Sequence, residues 1–423
     1  MARKITFVHA SDLHLGAPFR GMRAISERWA RRLADAIPNA YGKIIETALD
    51  RKVDFVVIAG DVFDSSHASF SDYRCFFEGL ERLAEAGIPA YICTGNHDPY
   101  SSWSHDFFAL PESARMLSAS EPGYLLYERG GEPTCVIAGR GFMNNVWPKD
   151  EDIASGLTRA EANEALGERA SRAPFGVGVL HTGLDLDVHK APSDPRALRR
   201  AGFDYWALGH IHTPMVDDKA NPRIAYSGCI QGRDVRETGK RGFNVVTIEE
   251  GAPNRVEFVP SASVVWQQID VDVSSCPTVS AVVDVVMRAQ FDANGPSRCD
   301  WMISRVTLLG ETDLHDVLAR PGVLEDVRAA LNETYPDFFV DSLVDRTCAP
   351  LDREALLRED LFPAAFLRAA HRQRSDEDAL ARYLQEAFLE RGAVVSASLL
   401  EDVDAVAAEA EGLVLDLLMR GEA

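Results

Sequence analysis

Apolar residues along this chain gather in short runs separated by polar or amphipathic stretches, which is the texture of alternating strands and helices. The runs that read as strands are Ile5–Ala10, Phe55–Ala59, Ala90–Cys93, Cys135–Ala138, Gly176–Leu180, Tyr205–Leu208, Ile224–Tyr226 and Phe243–Ile248. Between the first two, Arg28–Leu49 reads as largely helical, with Pro38 expected to kink or split it. Residues 1–258 are therefore expected to form a layered α/β domain. No apolar run approaches the roughly 20 residues that a membrane helix needs.

The pattern changes at Pro260-Ser-Ala-Ser263, a small-residue stretch that reads as a linker. Val264–Val273 follows as a strand and Thr278–Ala289 as a helix. Trp301–Leu309 is a second strand, Asp313–Leu331 is largely helical despite Pro321, and Phe338–Val344 is a third strand. This β-α-β-α-β order predicts a small α+β module over 264–346. From Pro350 to the end the chain reads as helical and acidic; residues 351–423 hold eight Arg against sixteen Asp and Glu, a net charge of −8. Ser375-Asp-Glu-Asp378 has the form of a capping box. It precedes Leu380, Tyr383, Leu384, Ala387 and Phe388, which share one helical face, and a second helix is expected over Leu400–Met419.

Composition narrows the setting. The formal charge of −21 over 423 residues argues against simple nucleic-acid binding, which usually rests on a basic surface. Bound divalent cations would invert the local field, and a partner subunit would supply the rest. Seven cysteines, odd in number and without a C-x-x-C, argue against a disulfide framework or a zinc knuckle. With no secretion-like leader in the Met-Ala-Arg-Lys start, the expected setting is a reducing cytoplasm, away from any membrane.

The chemistry lies where the strands end. Ile5–Ala10 leads into Ser11-Asp12-Leu-His14, Phe55–Ala59 into Gly60-Asp61-Val-Phe-Asp64, and Ala90–Cys93 reaches Gly95-Asn96-His97-Asp98. Gly176–Leu180 leads into His181, and Tyr205–Leu208 into Gly209-His210-Ile-His212. Loops at one end of a layered sheet converge on a common rim, so these side chains should meet. Imidazole with carboxylate and amide oxygen is a donor set for Mn²⁺, Fe²⁺ or Zn²⁺ rather than Ca²⁺. Gly60, Gly95 and Gly209 immediately precede ligands, where the backbone must turn sharply.

Asp-x-His, Gly-Asp-x-x-Asp, Gly-Asn-His-Asp, a lone His and Gly-His-x-His, in this order, resemble the calcineurin-like metallophosphoesterases. Ala59-Gly-Asp-Val-Phe-Asp64 is similar to the SbcD-type DNA-repair nucleases and the related meiotic-recombination nuclease. Tyr226-Ser-Gly-Cys-Ile-Gln-Gly-Arg233, with Glu237-Thr-Gly239 after it, resembles the YhaO-type branch.

The resemblance implies a four-layer α/β/β/α sandwich, a DNA-facing cap over 264–346 and a helical tail over 350–423. It implies two divalent cations, Mn²⁺ foremost: one on Asp12, His14, Asp61 and His212, the other on Asp61, Asn96, His181 and His210, with Asp61 as the bridge. His97 would contact the scissile phosphate or protonate the leaving oxygen, and Asp64 would orient and charge-stabilise His97. Also implied are DNA as substrate, homodimerisation through the phosphoesterase domain, and docking of the tail on a coiled-coil ATPase of the SbcC type.

Arg233 and Arg236, just past the last ligand loop, are candidates to touch DNA phosphates. Arg20, Arg23, Arg28, Arg31 and Arg32 read as a solvated helix face rather than a DNA-contacting strip. His9, His67, His105, His189, His315 and His371 read as structural or exposed, and Asp185 and Asp187, which sit past the His181 loop, need not reach the cations. A 3′–5′ exonuclease or endonuclease subunit is the first reading. The alternatives are a stand-alone phosphoesterase acting on nucleotides or small phosphodiesters, and a non-catalytic assembly factor.

Overall fold

The computed structural model describes residues 3–19, 27–103, 109–187, 190–295, 299–391 and 403–420; Arg20, Arg23, His105 and His189 lie outside them. Two compact units emerge. The first comprises Met1–Gln267, Ala293–Ser304 and Asp337–Asp341; the second comprises Gln268–Asp292, Arg305–Pro336 and Ser342–Ala423.

The first unit opens with β1 (Lys4–Ala10), α1 (Glu27–Arg51), β2 (Phe55–Ala59), α2 (Phe70–Glu85), β3 (Ala90–Cys93) and β4 (Ala114–Met116). Then come β5 (Gly123–Arg129), β6 (Glu132–Arg140), α3 (Arg159–Leu166), α4 (Glu168–Arg172), β7 (Phe175–His181) and α5 (Pro195–Arg200). It continues through β8 (Tyr205–Gly209), β9 (Met215–Val216), β10 (Ile224–Tyr226), β11 (Gly242–Glu249) and β12 (Arg255–Pro260). Two six-stranded sheets result, in the orders β12-β11-β1-β2-β3-β4 and β5-β6-β7-β8-β10-β9.

Alternation along the strands sorts their side chains into layers. Ile5, Phe7, Phe55 and Val57 of one sheet meet Ile137, Val177 and Tyr205 of the other in a shared core. Val8, Ala10, Val56 and Ile58 point the other way, toward Ala40, Ile44 and Phe76 of α1 and α2. Val136, Leu180 and Trp206 pack on Ala162, Ala170 and Leu198 of α3, α4 and α5. The expected four-layer sandwich is present.

All eight expected strands form. β4, β5, β9 and β12 were not expected, and each is the outermost strand of its sheet. An edge strand is covered less completely, so its sequence carries a weaker apolar signal; β12 alternates exposed and half-buried positions along its length. Helix α1 runs unbroken through Pro38, against the expectation of a split. Ile37, Ala40, Tyr41 and Ile44 continue the buried face set by Trp29 and Leu33, and that packing outweighs the backbone hydrogen bond a proline forgoes. Arg28 and Arg32 are not a free basic face: both pair with Asp337, at 3.0 and 2.5 Å, and Arg32 lies over the rings of Trp29 and Trp301. Residues 260–263 are not a loose linker, since Ser261 and Ala262 donate their amides to Arg241 O and Ser263 donates to Gln231 Oε1.

Beyond them lie β13 (Val264–Asp272), α6 (Val279–Asn294), β14 (Trp301–Glu311), α7 (His315–Leu318), α8 (Val323–Thr334) and β15 (Phe338–Cys348), with sheet order β13-β14-β15. The single helix expected over 313–331 is two, because Pro321 disfavours helix before it and Gly322 takes a left-handed φ of +88°. The second unit ends with α9 (Arg353–Leu357), α10 (Phe362–Arg374), α11 (Glu377–Glu390) and α12 (Val403–Arg420). Asp376, not Ser375, caps α11 by accepting from the Ala379 amide; Ser375 instead ends α10 and donates to Arg372 O. Arg374 joins α10 to α12 through Asp404 (2.7 Å) and Glu411 (3.4 Å).

His9 offers a test of the sandwich core. Its Nε2–H donates to Leu208 O (3.1 Å) and its Nδ1 accepts from Tyr205 Oη (2.9 Å), which requires the neutral ring. Burial pushes its pKa down to about 3, against the hydrogen bond to Leu208 that favours the charged form. Between pH 6.5 and 3 the unfolded chain therefore binds a proton that the folded chain does not, and stability falls as pH falls through that window. The loss should be on the order of 2 kcal/mol by pH 5. In chelator, denaturant midpoints of His9→Gln should show a correspondingly shallower acid limb between pH 7 and 5; an unchanged slope refutes this.

Candidate metal centre

Strands β1, β2 and β3 run parallel in one sheet, and β7 and β8 run parallel in the other, so their carboxyl ends deliver the polar loops together. The turns are tight. Asp12, His14, Asp61 and His210 all have positive φ, at 51°, 49°, 52° and 97°. For non-glycine residues such backbone costs about 1–3 kcal/mol each and persists only where the surroundings impose it. Here the first two loops pair beyond their strands: Asp12 N donates to Gly60 O and His14 N to Asp61 O, both at 3.0 Å. The glycines are explained by crowding. A Cβ on Gly60 would lie 2.5 Å from His181 Nδ1, and one on Gly95 would lie 2.1 Å from Asp61 Oδ1.

The loops gather the expected donors. Asp61 Oδ2 lies 3.7 Å from His14 Nε2 and 3.3 Å from His181 Nε2, between two imidazoles that approach from different strands. His212 Nε2 is 3.2 Å from His14 Nε2 and 3.6 Å from Asp12 Oδ1. Asn96 Oδ1 is 3.2 Å from His181 Nε2. Donor atoms of Asp12, His14 and His212 lie within 4.8 Å of one another, as do those of Asp12, Asp61 and His181. Two adjoining sets that share a carboxylate wall have the nitrogen and oxygen chemistry that a pair of divalent cations requires. His210 is placed by its amide, which donates to both Asp12 oxygens at 3.1 Å, and its ring stands edge-on to that of His181.

Electrostatics agree. Burial alone would raise the Asp61 carboxyl, but the charge and hydrogen bond of His181 hold it well below the usual carboxylate range. Burial likewise opposes charge on His181, yet Asp61 lifts it to about 9. The site is thus an anionic pocket that draws positive charge to itself.

Several contacts lie outside the expected ligand set. Asp98 is fully buried, and its carboxylate accepts the amides of Asp61 (3.0 Å), Val62 (2.9 Å) and Gly95 (2.8 Å), clamping the second loop to the third. Glu237 Oε1 is 2.5 Å from His212 Nδ1. Asp187 Oδ2, past the His181 loop, is 3.2 Å from His210 Nε2. Asp98 and Glu237 lie inside motifs that the sequence singles out, but nothing local reveals what they grip.

His97 is exposed, its amide donating to Asp61 Oδ1 at 2.9 Å, and its ring stands 5.1 Å from that of His14. Asp64 Oδ1 is engaged by Ser66 Oγ (2.7 Å) and His67 Nδ1 (3.3 Å); among the described residues no hydrogen bond joins it to His97. Two clefts open beside His97. One, of about 430 Å³, is lined by Asp64, His212, Arg233, Arg236 and Arg241. The other, of about 520 Å³, carries Asn96, Ser101, Ser102, Asn144 and Lys190. Arg236 is tied to Asp234 at 3.0 Å, whereas the ion pair of Arg233 among the described residues is a long one with Glu237, at 3.8 Å.

Known proteins share this pattern. The calcineurin-like phosphoesterase family matches residues 5–214, and the middle domain of metallophosphoesterase YhaO matches residues 266–348. An uncharacterized metallophosphoesterase YhaO of Bacillus subtilis is 31% identical over 290 residues, covering 68% of this chain and 67% of that protein. The DNA double-strand break repair protein Mre11 of Aeropyrum pernix is 27% identical over 328 residues, 76% of each chain. Its namesake in Archaeoglobus fulgidus is 28% identical over 248 residues, 55% of this chain and 52% of that protein. The phosphoesterase region alone would leave the branch open; the match beyond residue 266 decides it, and this chain belongs to the calcineurin-like metallophosphoesterase family, in its YhaO branch, as a metal-dependent phosphodiesterase.

Proposed function

We propose that this chain is a two-metal DNA nuclease subunit, using Mn²⁺ to hydrolyse phosphodiester bonds during DNA repair as a 3′–5′ exonuclease or endonuclease. The observation that carries the reading is the position of Asp61 Oδ2 between His14 and His181, which one carboxylate shared by two cations requires. Asp12, His14, Asp61 and His212 would hold one cation; Asp61, Asn96, His181 and His210 would hold the other, with Asp12 at its edge. Such a pair, when bound, lowers the pKa of water toward neutrality and neutralises phosphoryl oxygens.

The chain's own residues do the rest. His97 stands exposed beside the donors, able to give a proton to the leaving oxygen. Arg233, whose ion pair is long and whose Nε has no hydrogen-bond partner among the described residues, meets a phosphate in the cleft beside His97. Arg236 extends this cationic wall. Local cations of this kind reconcile DNA binding with a net charge of −21. The helical tail docks on a coiled-coil ATPase of the SbcC type; Tyr383 and Leu389 of α11 and Leu413 and Leu417 of α12 are 62%, 66%, 45% and 49% exposed. The Mre11 relatives, DNA repair proteins by name, support the substrate.

Purified protein stripped with excess chelator should lose all hydrolysis and regain it on adding Mn²⁺. The restored enzyme should degrade linear DNA as well as bis-p-nitrophenyl phosphate. Activity on the small ester alone would assign the chain to nucleotides or small phosphodiesters, which the acidic surface favours. Inactivity on both, with metal bound, would leave an assembly role.

A further inference from the structure

We infer that Glu237 is a positioning residue that fixes His212 and Arg233 together, so that one carboxylate sets both a cation ligand and the cationic wall of the substrate cleft. The inference rests on the two-metal reading above. Glu237 lies 25 positions after His212, yet its Oε1 meets His212 Nδ1 at 2.5 Å. Its Oε2 accepts the Arg233 amide at 2.6 Å, and Oε1 also faces Arg233 Nη2 at 3.8 Å.

The loop around it is built to hold His212 from behind. Arg241 donates Nη1 to His212 O (2.6 Å) and Nη2 to Thr238 O (2.9 Å), and the Cys229 amide donates to the same His212 carbonyl at 3.1 Å. Gly228 is pressed against that carbonyl so closely that a Cβ would lie 2.7 Å from it. Backbone and ring of His212 are thus held by one segment, Ser227–Arg241, that carries none of the expected cation ligands.

The chemical consequence follows from the imidazole. A ring that donates Nδ1–H to Glu237 must present its lone pair at Nε2, the nitrogen facing Asp12 and His14. Removing the carboxylate frees both tautomer and ring angle. It also releases Arg233, whose backbone and guanidinium lose their shared acceptor. Donor atoms of His212, Cys229 and Glu237 lie within 4.8 Å of one another, which invites reading them as a third cation site. The 2.5 Å separation of Nδ1 and Oε1 is a hydrogen bond, since tetrahedral zinc ligands stand roughly 3.4 Å apart at ordinary bond lengths.

The test uses the full chain, with Mn²⁺ binding followed by electron paramagnetic resonance of the free ion and folding checked by circular dichroism in chelator. Wild-type protein should bind two Mn²⁺. Glu237→Ala should weaken one of the two sites by about 10–100-fold and leave the other unchanged. Glu237→Gln, which keeps the acceptor but not the charge, should lose less. Glu237→Ala should also raise KM for DNA, as Arg233→Ala does, while Arg233→Ala should leave Mn²⁺ affinity intact. Wild-type cation affinity and KM in Glu237→Gln and Glu237→Ala would overturn the inference. If Glu237→Ala does not fold, the Gln variant decides, by a loss or retention of one site's affinity. Wild-type protein that binds no Mn²⁺ would instead overturn the two-metal reading itself.

Discussion

Asp61→Asn should abolish DNA hydrolysis and empty the metal centre. The substitution preserves shape, so its effect isolates charge and coordination. Asp61 Oδ2 stands 3.7 Å from His14 Nε2 and 3.3 Å from His181 Nε2, and Oδ1 accepts the His97 amide at 2.9 Å. An amide there removes the negative charge that draws two cations together and presents N–H where a lone pair is needed. Losing several kcal/mol of transition-state charge stabilisation lowers kcat/KM by roughly three decades or more. Apart from Asp12, which belongs to both donor sets, no other ligand substitution should match it, since each of the remaining ligands faces one cation. Elemental analysis should show fewer than one metal per chain in place of two, with the unfolding midpoint in chelator reporting an intact fold. Two retained metals and near-wild-type hydrolysis would sink the bridging role.

The second large effect belongs to His97→Asn. Its ring is exposed beside the donors and touches none of them except through the edge-on contact with His14, so the variant should keep both metals. A general acid contributes about 10²–10⁴-fold, and only where the leaving oxygen needs a proton. Hydrolysis of DNA, whose leaving alkoxide is strongly basic, should fall by that range. Hydrolysis of bis-p-nitrophenyl phosphate, whose leaving phenolate needs no proton, should fall by much less. Equal losses on both substrates would make His97 a charge stabiliser and not a proton donor. Asp64, engaged by Ser66 and His67, influences His97 only through charge, so Asp64→Asn should cost far less than His97→Asn.

The two clefts beside His97 give these results a spatial frame. One is lined by Arg233, Arg236 and Arg241 together with Asp64, Asp234 and Glu237; the other carries Asn96, Ser101, Ser102, Asn144 and Lys190.

Much of this is legible in the sequence. The interior strands announce themselves because dense apolar runs such as Phe55–Ala59, buried at every position, have no other stable placement. The proposed ligand residues stand out because each lies within a few positions of the end of such a run. Edge strands did not, since β5 and β12 are covered only in part and their residues are correspondingly mixed. Pro38 misled because its cost is local, whereas the burial that overrides it runs along the whole of α1. Arg28 and Arg32 read as solvated because Asp337, their partner, is some three hundred residues away.

By itself, the order of residues determined which strands end in polar loops rich in His, Asp and Asn, and that those strands end on one side. These are properties of short segments, set by period and by neighbouring glycines. The tertiary structure alone decided which groups orient the ligands: Asp98 across two loops, Asp187 on His210, and Glu237 on His212. A carboxylate's partner depends on how the chain returns through space, and no local pattern of apolar and polar residues encodes that return.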